Sequence, residues 1–340
     1  MASCRFTPEE DEIIRKYHPM TRVADYYHLL NNRTIGSVRV RATRIGVKKS
    51  PEGKRLLMER ANAQKRLNLA GVIDESFADL GEEYLQYLSG LFDTDGSIGF
   101  RKLIKDNHKY ISAAFIVINK YKPIIEKLHH DIPGGHIFGD TSQVWQWRLT
   151  SRDRLIILLE RVLPYLIVKH EQVDIVLNCL KNHAHDGEYL WDKVEEVQLL
   201  KRQFSLTTGS NITWAYVAGV LDGDGCISYH RTSLRISITT LDHNFAEQLS
   251  RFIGCAHIAT VSNKGKPSHH LPLYRVIVSG NDRAYDFLKK VQPYLYIKKA
   301  QAEYLLTELA NYVNWNHYPD RQKRLEIKEH LSMLKRIFAP

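Results

Sequence analysis

Apolar side chains recur along this chain with two periods, and the places where the period changes mark its elements. "EYLQYLSGLFD" (83–93) and "TWAYVAGVLD" (213–222) are so densely apolar that each reads as a buried helix running into a glycine. Strand alternation follows in both halves. Leu234, Ile236 and Ile238 share one face with Arg235, Ser237 and Thr239 on the other, and Trp145, Trp147 and Leu149 oppose Gln146, Arg148 and Thr150. Each half reads helix, two strands, helix, two strands, helix, giving sheets with an apolar core face and a polar face. Such a polar face either meets solvent, as antiparallel sheets commonly do, or meets a ligand.

The first 49 residues differ. Thr7 is placed to cap a helix with Pro8 at its first position and Glu9, Glu10 and Asp11 in its first turn. A second helix is expected over about 21–30, and a third from a Thr34 cap through Arg44 to Gly46. In that third helix Ser37, Arg41 and Arg44 fall on one face, while Ile35, Val38 and Ala42 can face inward. "FTPEEDEIIRKY" followed by "NNRTIGSVRVRATRIG" resembles the Myb/SANT type of helix-turn-helix; a small protein-docking module is the alternative. Residues 50–80 read as a basic linker with a transient helix.

The two later halves are repeats. Pro164 in "LPYLIVK" lies 69 residues after Asp95, and Pro293 in "QPYLYIK" lies 69 after Asp224; Lys169 and Lys298 each sit 74 beyond their aspartate. Asn119 leads to Glu126 and His136 at offsets of 7 and 17, as Thr240 leads to Glu247 and His257. The early hairpin is longer in the first half, since Asn119 is 24 residues past Asp95 but Thr240 only 16 past Asp224. Boundaries follow at 1–49, 50–80, 81–204 (first repeat), 205–210 (inter-repeat linker) and 211–340 (second repeat).

Composition narrows the function. At 340 residues with 44% hydrophobic content the chain suits two or three soluble domains. It has no apolar run of about 18 residues, so no membrane span is expected, and the acidic "PEEDE" near its start argues against a targeting peptide. Cys4, Cys179, Cys226 and Cys255 form neither a zinc pair nor a disulfide framework, which implies a reducing, cytoplasmic compartment. Residues 33–66 hold eleven Lys or Arg against two Glu, nearly all of the chain's net +10. A basic stretch of this kind is either a solvated face or a nucleic-acid partner's footprint.

Small residues at Ser89, Gly90, Ala218 and Gly219 let the two apolar helices approach closely, so that their C-terminal ends meet. Carboxylates are unfavourable there, because the C-terminus is the negative end of the helix dipole. A divalent cation compensates such a pair, and oxygen ligands suit Mg²⁺ and phosphodiester chemistry.

"LSGLFDTDG" (88–96) and "VAGVLDGDG" (217–225), each followed by strands and a P-Y-L-x-x-K segment, give residues 82–335 a resemblance to single-chain, two-repeat LAGLIDADG homing endonucleases. The resemblance implies an α+β fold of two pseudo-twofold αββαββα repeats forming paired antiparallel DNA-binding sheets, beside the small three-helix N-terminal domain. It implies Asp95 and Asp224 as metal ligands and catalytic acids, Lys169 and Lys298 near the scissile phosphates, and Asn119 and Thr240 orienting solvent, although Thr240 departs from the expected Gln or Asn. Asp93 and Asp222 would cap the turn. Mg²⁺ is the expected cofactor, with Mn²⁺ as an alternative and Ca²⁺ supporting binding only. The partner is double-stranded DNA with a long target site, bound by a monomer and cut to short 3′ overhangs. Candidate DNA contacts on the sheets are Arg101, Lys105, Gln146, Arg148, His230, Arg235, Ser237 and Arg275. In the N-terminal module they are Arg33, Ser37, Arg39, Arg41, Arg44, Lys48 and Lys49. Alternatives on the same scaffold are a group I intron RNA maturase and a regulator that binds without cutting; the ending "RIFAP" lacks an intein's His-Asn, so an intron-encoded or free-standing enzyme is expected. His183, His185, Asp186, His269 and His270 read as loop residues, and "KVEEVQLLKRQF" (193–204) as a solvated connecting helix.

Overall fold

The computed structural model describes residues 6–30, 33–61, 77, 80–105, 108–139, 144–182, 187–201, 212–230, 233–261, 272–310, 312 and 319–338, except the side chains of 101–105, 108–110, 187–188, 230 and 337–338. They fall into two compact units, Met1–Ile73 and Asp74–Pro340.

The first unit begins with α1 (Pro8–Tyr17), where Thr7 and Glu10 form a reciprocal capping box. The second expected helix is shorter than its sequence suggests: α2 (Val23–Tyr26) passes into a 3₁₀ turn (Tyr27–Leu29) because Tyr26 leaves helical φ. Thr34 accepts from the Ser37 amide at 3.1 Å and starts α3 (Ile35–Arg44). Val38 and Ala42 are fully buried with Ile14, around Val23, Tyr26 and Leu30. Residues 51–61 form a further helix, α4, within the same compact unit. Ser50 caps it by accepting from the Gly53 amide and holds the Pro19 carbonyl with its own amide and hydroxyl. A β-carbon on Gly53 would stand 2.0 Å from that carbonyl oxygen, so only glycine permits the approach.

In the second unit the first repeat runs α5 (Glu82–Asp95), β1 (Gly96–Lys105), β2 (His108–Asn119), α6 (Lys122–Asp131), β3 (His136–Gly139), β4 (Trp145–Leu149), α7 (Arg152–Val162), α8 (His170–Asn182) and α9 (Gly187–Leu200). The second repeats the order with α10 (Trp214–Asp224), β5 (Gly225–His230), β6 (Ser233–Thr240), α11 (His243–Ile253), β7 (His257–Val261), β8 (Leu273–Ser279), α12 (Asn281–Val291), α13 (Lys299–Leu309) and α14 (Arg321–Phe338). Each αββαββα core is thus followed by two more helices. The sheets are antiparallel in the orders β1-β2-β4-β3 and β5-β6-β8-β7. Helix α9 is not merely solvated as its alternating charges suggest: Val194 and Val197 are buried, and the helix lies against β1 and β2.

Leu234, Ile236 and Ile238 are buried as their alternation predicts, as are Trp147 and Leu149, while Trp145 is half-buried under the Lys122 ammonium. The two repeats meet along α5 and α10, and the fit is reciprocal. A β-carbon at Gly90 would come 2.1 Å from the Tyr216 carbonyl oxygen, and one at Gly219 would come 2.0 Å from that of Tyr87. Backbone therefore touches backbone, and the C-terminal ends of both motif helices come together.

Candidate functional site

Buried aspartates tie each motif helix to a segment more than seventy residues away. Asp93 accepts hydrogen bonds from the amides of Ile167 (2.8 Å), Val168 (3.1 Å) and Lys169 (2.9 Å). Asp222 accepts from those of Tyr296 (2.8 Å), Ile297 (2.9 Å) and Lys298 (2.8 Å). Both do cap, but what they cap is the approach to α8 and α13 rather than their own turn. The fourth donor to each comes from the opposite repeat: Tyr216 Oη reaches Asp93 at 2.6 Å and Tyr87 Oη reaches Asp222 at 2.9 Å. Burial and the adjacent carboxylates push both phenols well above their ordinary range, so they stay protonated donors.

The lysines at the end of these segments turn back onto the motif helices. Lys169 donates to the carbonyls of Phe92 (2.8 Å) and Asp93, and Lys298 to that of Asp222 at 2.6 Å. Each ammonium thereby sits at the negative end of a helix dipole, where Lys169 shares the Phe92 carbonyl with the Gly96 amide. Burial lowers both lysine pKa values, against the pull of the surrounding aspartates.

The acids that close the motifs stand where the repeats meet, and each faces the other repeat's lysine. Asp95, Asn119, Lys120 and Lys298 line one cavity; Asp224, Thr240, Lys169 and Lys201 line a second. Asp95 is raised to about 6, chiefly by burial; the Asn119 hydrogen bond opposes this, the charge of Asp224 adds to it, and Lys298 and Lys169 oppose it. Asp224 is also raised by burial, against Lys169 and Lys298. The Asn119 amide is fully oriented: Nδ2 donates to Asp95 at 2.6 Å while Oδ1 accepts from the Tyr121 amide at 2.7 Å. Thr240 likewise ends its strand and accepts from the Asp242 amide at 3.1 Å, but no hydrogen bond joins it to Asp224.

Two carboxylates held against their own repulsion are an electrostatic fit for a hard divalent cation, whose other ligands would be water and phosphate oxygens. Among the described residues no group of three or more His, Cys, Asp or Glu gathers to hold a metal, so a cation here would rest on two carboxylates. The loop residues His183, His185, Asp186, His269 and His270 lie outside the described residues.

On the open sheet faces, Gln146 and Arg148 sit side by side with the Gln146 carbonyl oriented to accept from the guanidinium at 3.0 and 3.1 Å, and Arg148 stacks over Phe138 at 4.9 Å. Phe138 and Ile118, exposed on the same face, are apolar positions that a reading based on charge overlooks. Arg235, Ser237 and Arg275 are half-buried, with Arg275 paired in register to Thr239. The side chains of Arg101, Lys105 and His230 lie outside the described residues.

In the first unit several of the expected DNA contacts make hydrogen bonds within the module. Arg33 makes a two-pronged ion pair with Glu10 (both 2.8 Å), and Arg41 does the same with Asp11 (2.7 and 2.5 Å). Lys49 donates to the carbonyls of His18 and Thr21. Ser37 is half-buried and its hydroxyl donates to the Thr34 carbonyl at 2.9 Å. The exposed face of α3 is consequently rotated from the expected one and carries Arg39, Val40, Thr43 and Arg44, with Lys48 just beyond. Glu10 and Asp11 are themselves buried, and a buried carboxylate requires a charged or hydrogen-bonding partner.

Among solved structures, the LAGLIDADG homing endonuclease I-GzeII in complex with its DNA target matches with a TM-score of 0.56 at 14% identity, over 72% of this chain and 96% of that one. The meganuclease I-SmaMI bound to uncleavable DNA matches with a TM-score of 0.56 at 19% identity, over 76% and 99%. For I-AabMI bound to uncleaved DNA the values are 0.53, 19%, 72% and 98%. The second unit therefore has the fold of LAGLIDADG homing endonucleases. Within it, residues 212–292 match the family model of the LAGLIDADG-like domain. Comparison with curated proteins gives no match.

Proposed function

We propose that this chain is a site-specific DNA endonuclease that hydrolyses both strands of a long double-stranded target with a divalent metal, Mg²⁺ or Mn²⁺, and that the N-terminal unit extends target recognition. It works as a monomer in a reducing, cytoplasmic compartment. The observation that carries this reading is the pair of composite sites, each built from one repeat's acid and strand-end polar group and the other repeat's lysine.

Asp95 and Asp224 would hold the metal, which supplies charge neutralisation at the phosphate and a water of lowered pKa. Around it, the chain's own groups divide the work. Asn119 fixes the Asp95 carboxylate and Lys169 and Lys298 lend positive charge to a phosphate entering either cavity, while Asp93 and Asp222 hold those lysines in place from below. A protein that only bound nucleic acid would gain nothing from two repelling carboxylates, which favours cleavage over silent regulation.

Selecting cut sequences from a randomised DNA library with Mg²⁺ tests the reading: one long motif cut on both strands is expected, and undiminished cutting in EDTA would contradict a metal site. The N-terminal contribution is tested by deleting residues 1–73. Binding should weaken and its salt dependence should flatten by roughly 0.9 log unit for each phosphate no longer engaged, while cutting at the central site survives at high enzyme concentration. An unchanged footprint and salt slope would assign the unit to protein docking.

A further inference from the structure

Two lysines outside the motif network arrive at equivalent points by different routes. Ser97 and Cys226 each follow the closing glycine of their motif and stand second on the strand that this glycine begins. Lys201, just past the end of α9, brings its Nζ to 3.3 Å from Ser97 Oγ. Lys335, near the end of α14, brings its Nζ to 3.5 Å from Cys226 Sγ. The two helices differ in length and sequence, and the lysines lie 104 and 109 residues beyond their partners, so a gap-free alignment of the repeats does not pair them.

We propose that Lys201 and Lys335 are a second pair of phosphate-binding lysines, one serving each half of the site, and that they grip the backbone of the nucleic acid beside the position of cutting. The assignment rests on the endonuclease reading above. Lys201 lines the same cavity as Asp224, Lys169 and Thr240. It is exposed at the rim of that cavity, no carboxylate among the described residues pairs with it, and its charge lowers the pKa of Lys169 while partial desolvation lowers its own. An ammonium held beside another ammonium is stabilised by an incoming anion, and a lysine serves a phosphate oxygen as a point charge with a flexible stem. The Ser97 hydroxyl is an uncharged prop that holds the Lys201 head without neutralising it, and Cys226 Sγ stands in the equivalent place beside Lys335.

The test uses the full-length protein and a target selected from the random library, with Lys201→Ala, Lys335→Ala, the double variant and Lys201→Arg. Binding measured in Ca²⁺ across a salt series should lose roughly 0.9 log unit of slope for each alanine, so nearly two in the double variant, with Lys201→Arg retaining the wild-type slope. Single-turnover cutting in Mg²⁺, read on each labelled strand, should slow about tenfold or more on one strand for Lys201→Ala and on the other for Lys335→Ala, as expected when one charge-assisted hydrogen bond is removed. Should the alanine variants melt early, Lys201→Gln and Lys335→Gln read the same slope. A double variant that keeps the wild-type slope and cuts both strands at the wild-type rate overturns the lysine assignment and leaves the endonuclease reading standing. A wild type that cuts no library member overturns both.

Discussion

The ends of strands β2 and β6 occupy the same place in the two repeats and differ in one respect. Asn119 and Thr240 each accept from the amide two residues on, so the turn into the next helix is preserved. An amide has a second polar atom to spare and uses it on Asp95, whereas the threonine hydroxyl gives no such bond to Asp224. Elsewhere the pseudo-twofold is kept closely: Gly90 answers Gly219, Asp93 answers Asp222, Tyr87 answers Tyr216 and Lys169 answers Lys298. Symmetry thus persists where the halves must pack against or cap one another, since a change on one side leaves an unmatched group on the other. It lapses at the rim of the cavities, where a side chain answers only to its own ligand.

The largest effect should come from breaking the shared part. Alanine at Gly90 or Gly219 drives a methyl into backbone that cannot swing aside, so each should cost at least about 3 kcal/mol, with similar losses at both positions in denaturant titration. A loss at one position only would mean that the repeats do not depend equally on the crossing.

Replacing an acid should act in the opposite direction. With its pKa raised to about 6 against an unfolded value of 3.8, Asp95 binds its proton more tightly when folded, so its ionisation opposes folding. That opposition is absent below about pH 4, grows between about 4 and 6, and is complete above. Asp95→Asn should therefore stabilise the metal-free protein by roughly 1 to 3 kcal/mol at pH 7.5, with the gain shrinking as the pH falls through that window. Added divalent ion should narrow the difference. Melting curves from pH 4.5 to 8 give the answer, and a pH-independent difference would mean that the acid is not held against its own charge.

A smaller change should sharpen the asymmetry. Thr240→Asn supplies the amide that Asp224 lacks and should speed cutting of one strand by a few-fold, while Asn119→Thr should slow the other by a similar factor. Strand-labelled cleavage reads both. Equal effects on both strands would show that the cavities do not act separately.

Much of this architecture is legible in the sequence because the repeated elements carry strong local signals. Glycine-rich apolar helices and clean alternation at 234–239 leave little room for another register, and the observed strands bear them out. Helix α9 misleads because its charges dominate its pattern, although Val194 and Val197 are what it buries. The same holds in the first unit, where Arg33 and Arg41, two residues of a basic stretch, close on Glu10 and Asp11 in a way their charge alone does not reveal. What sequence spacing could not reveal is the exchange of partners between repeats. Tyr87 and Tyr216 look like ordinary core aromatics, and nothing local links them to aspartates more than 120 residues away.

The central claim, that Asp95 and Asp224 form the cutting centre, is tested most directly by assaying Asp95→Asn and Asp224→Asn on the selected target. DNA binding in Ca²⁺ and strand-resolved cleavage in Mg²⁺ are measured side by side. Each variant should bind with nearly wild-type affinity and make no double-strand breaks, a nick on one strand being the most that survives. Full double-strand cutting by either variant would contradict the account.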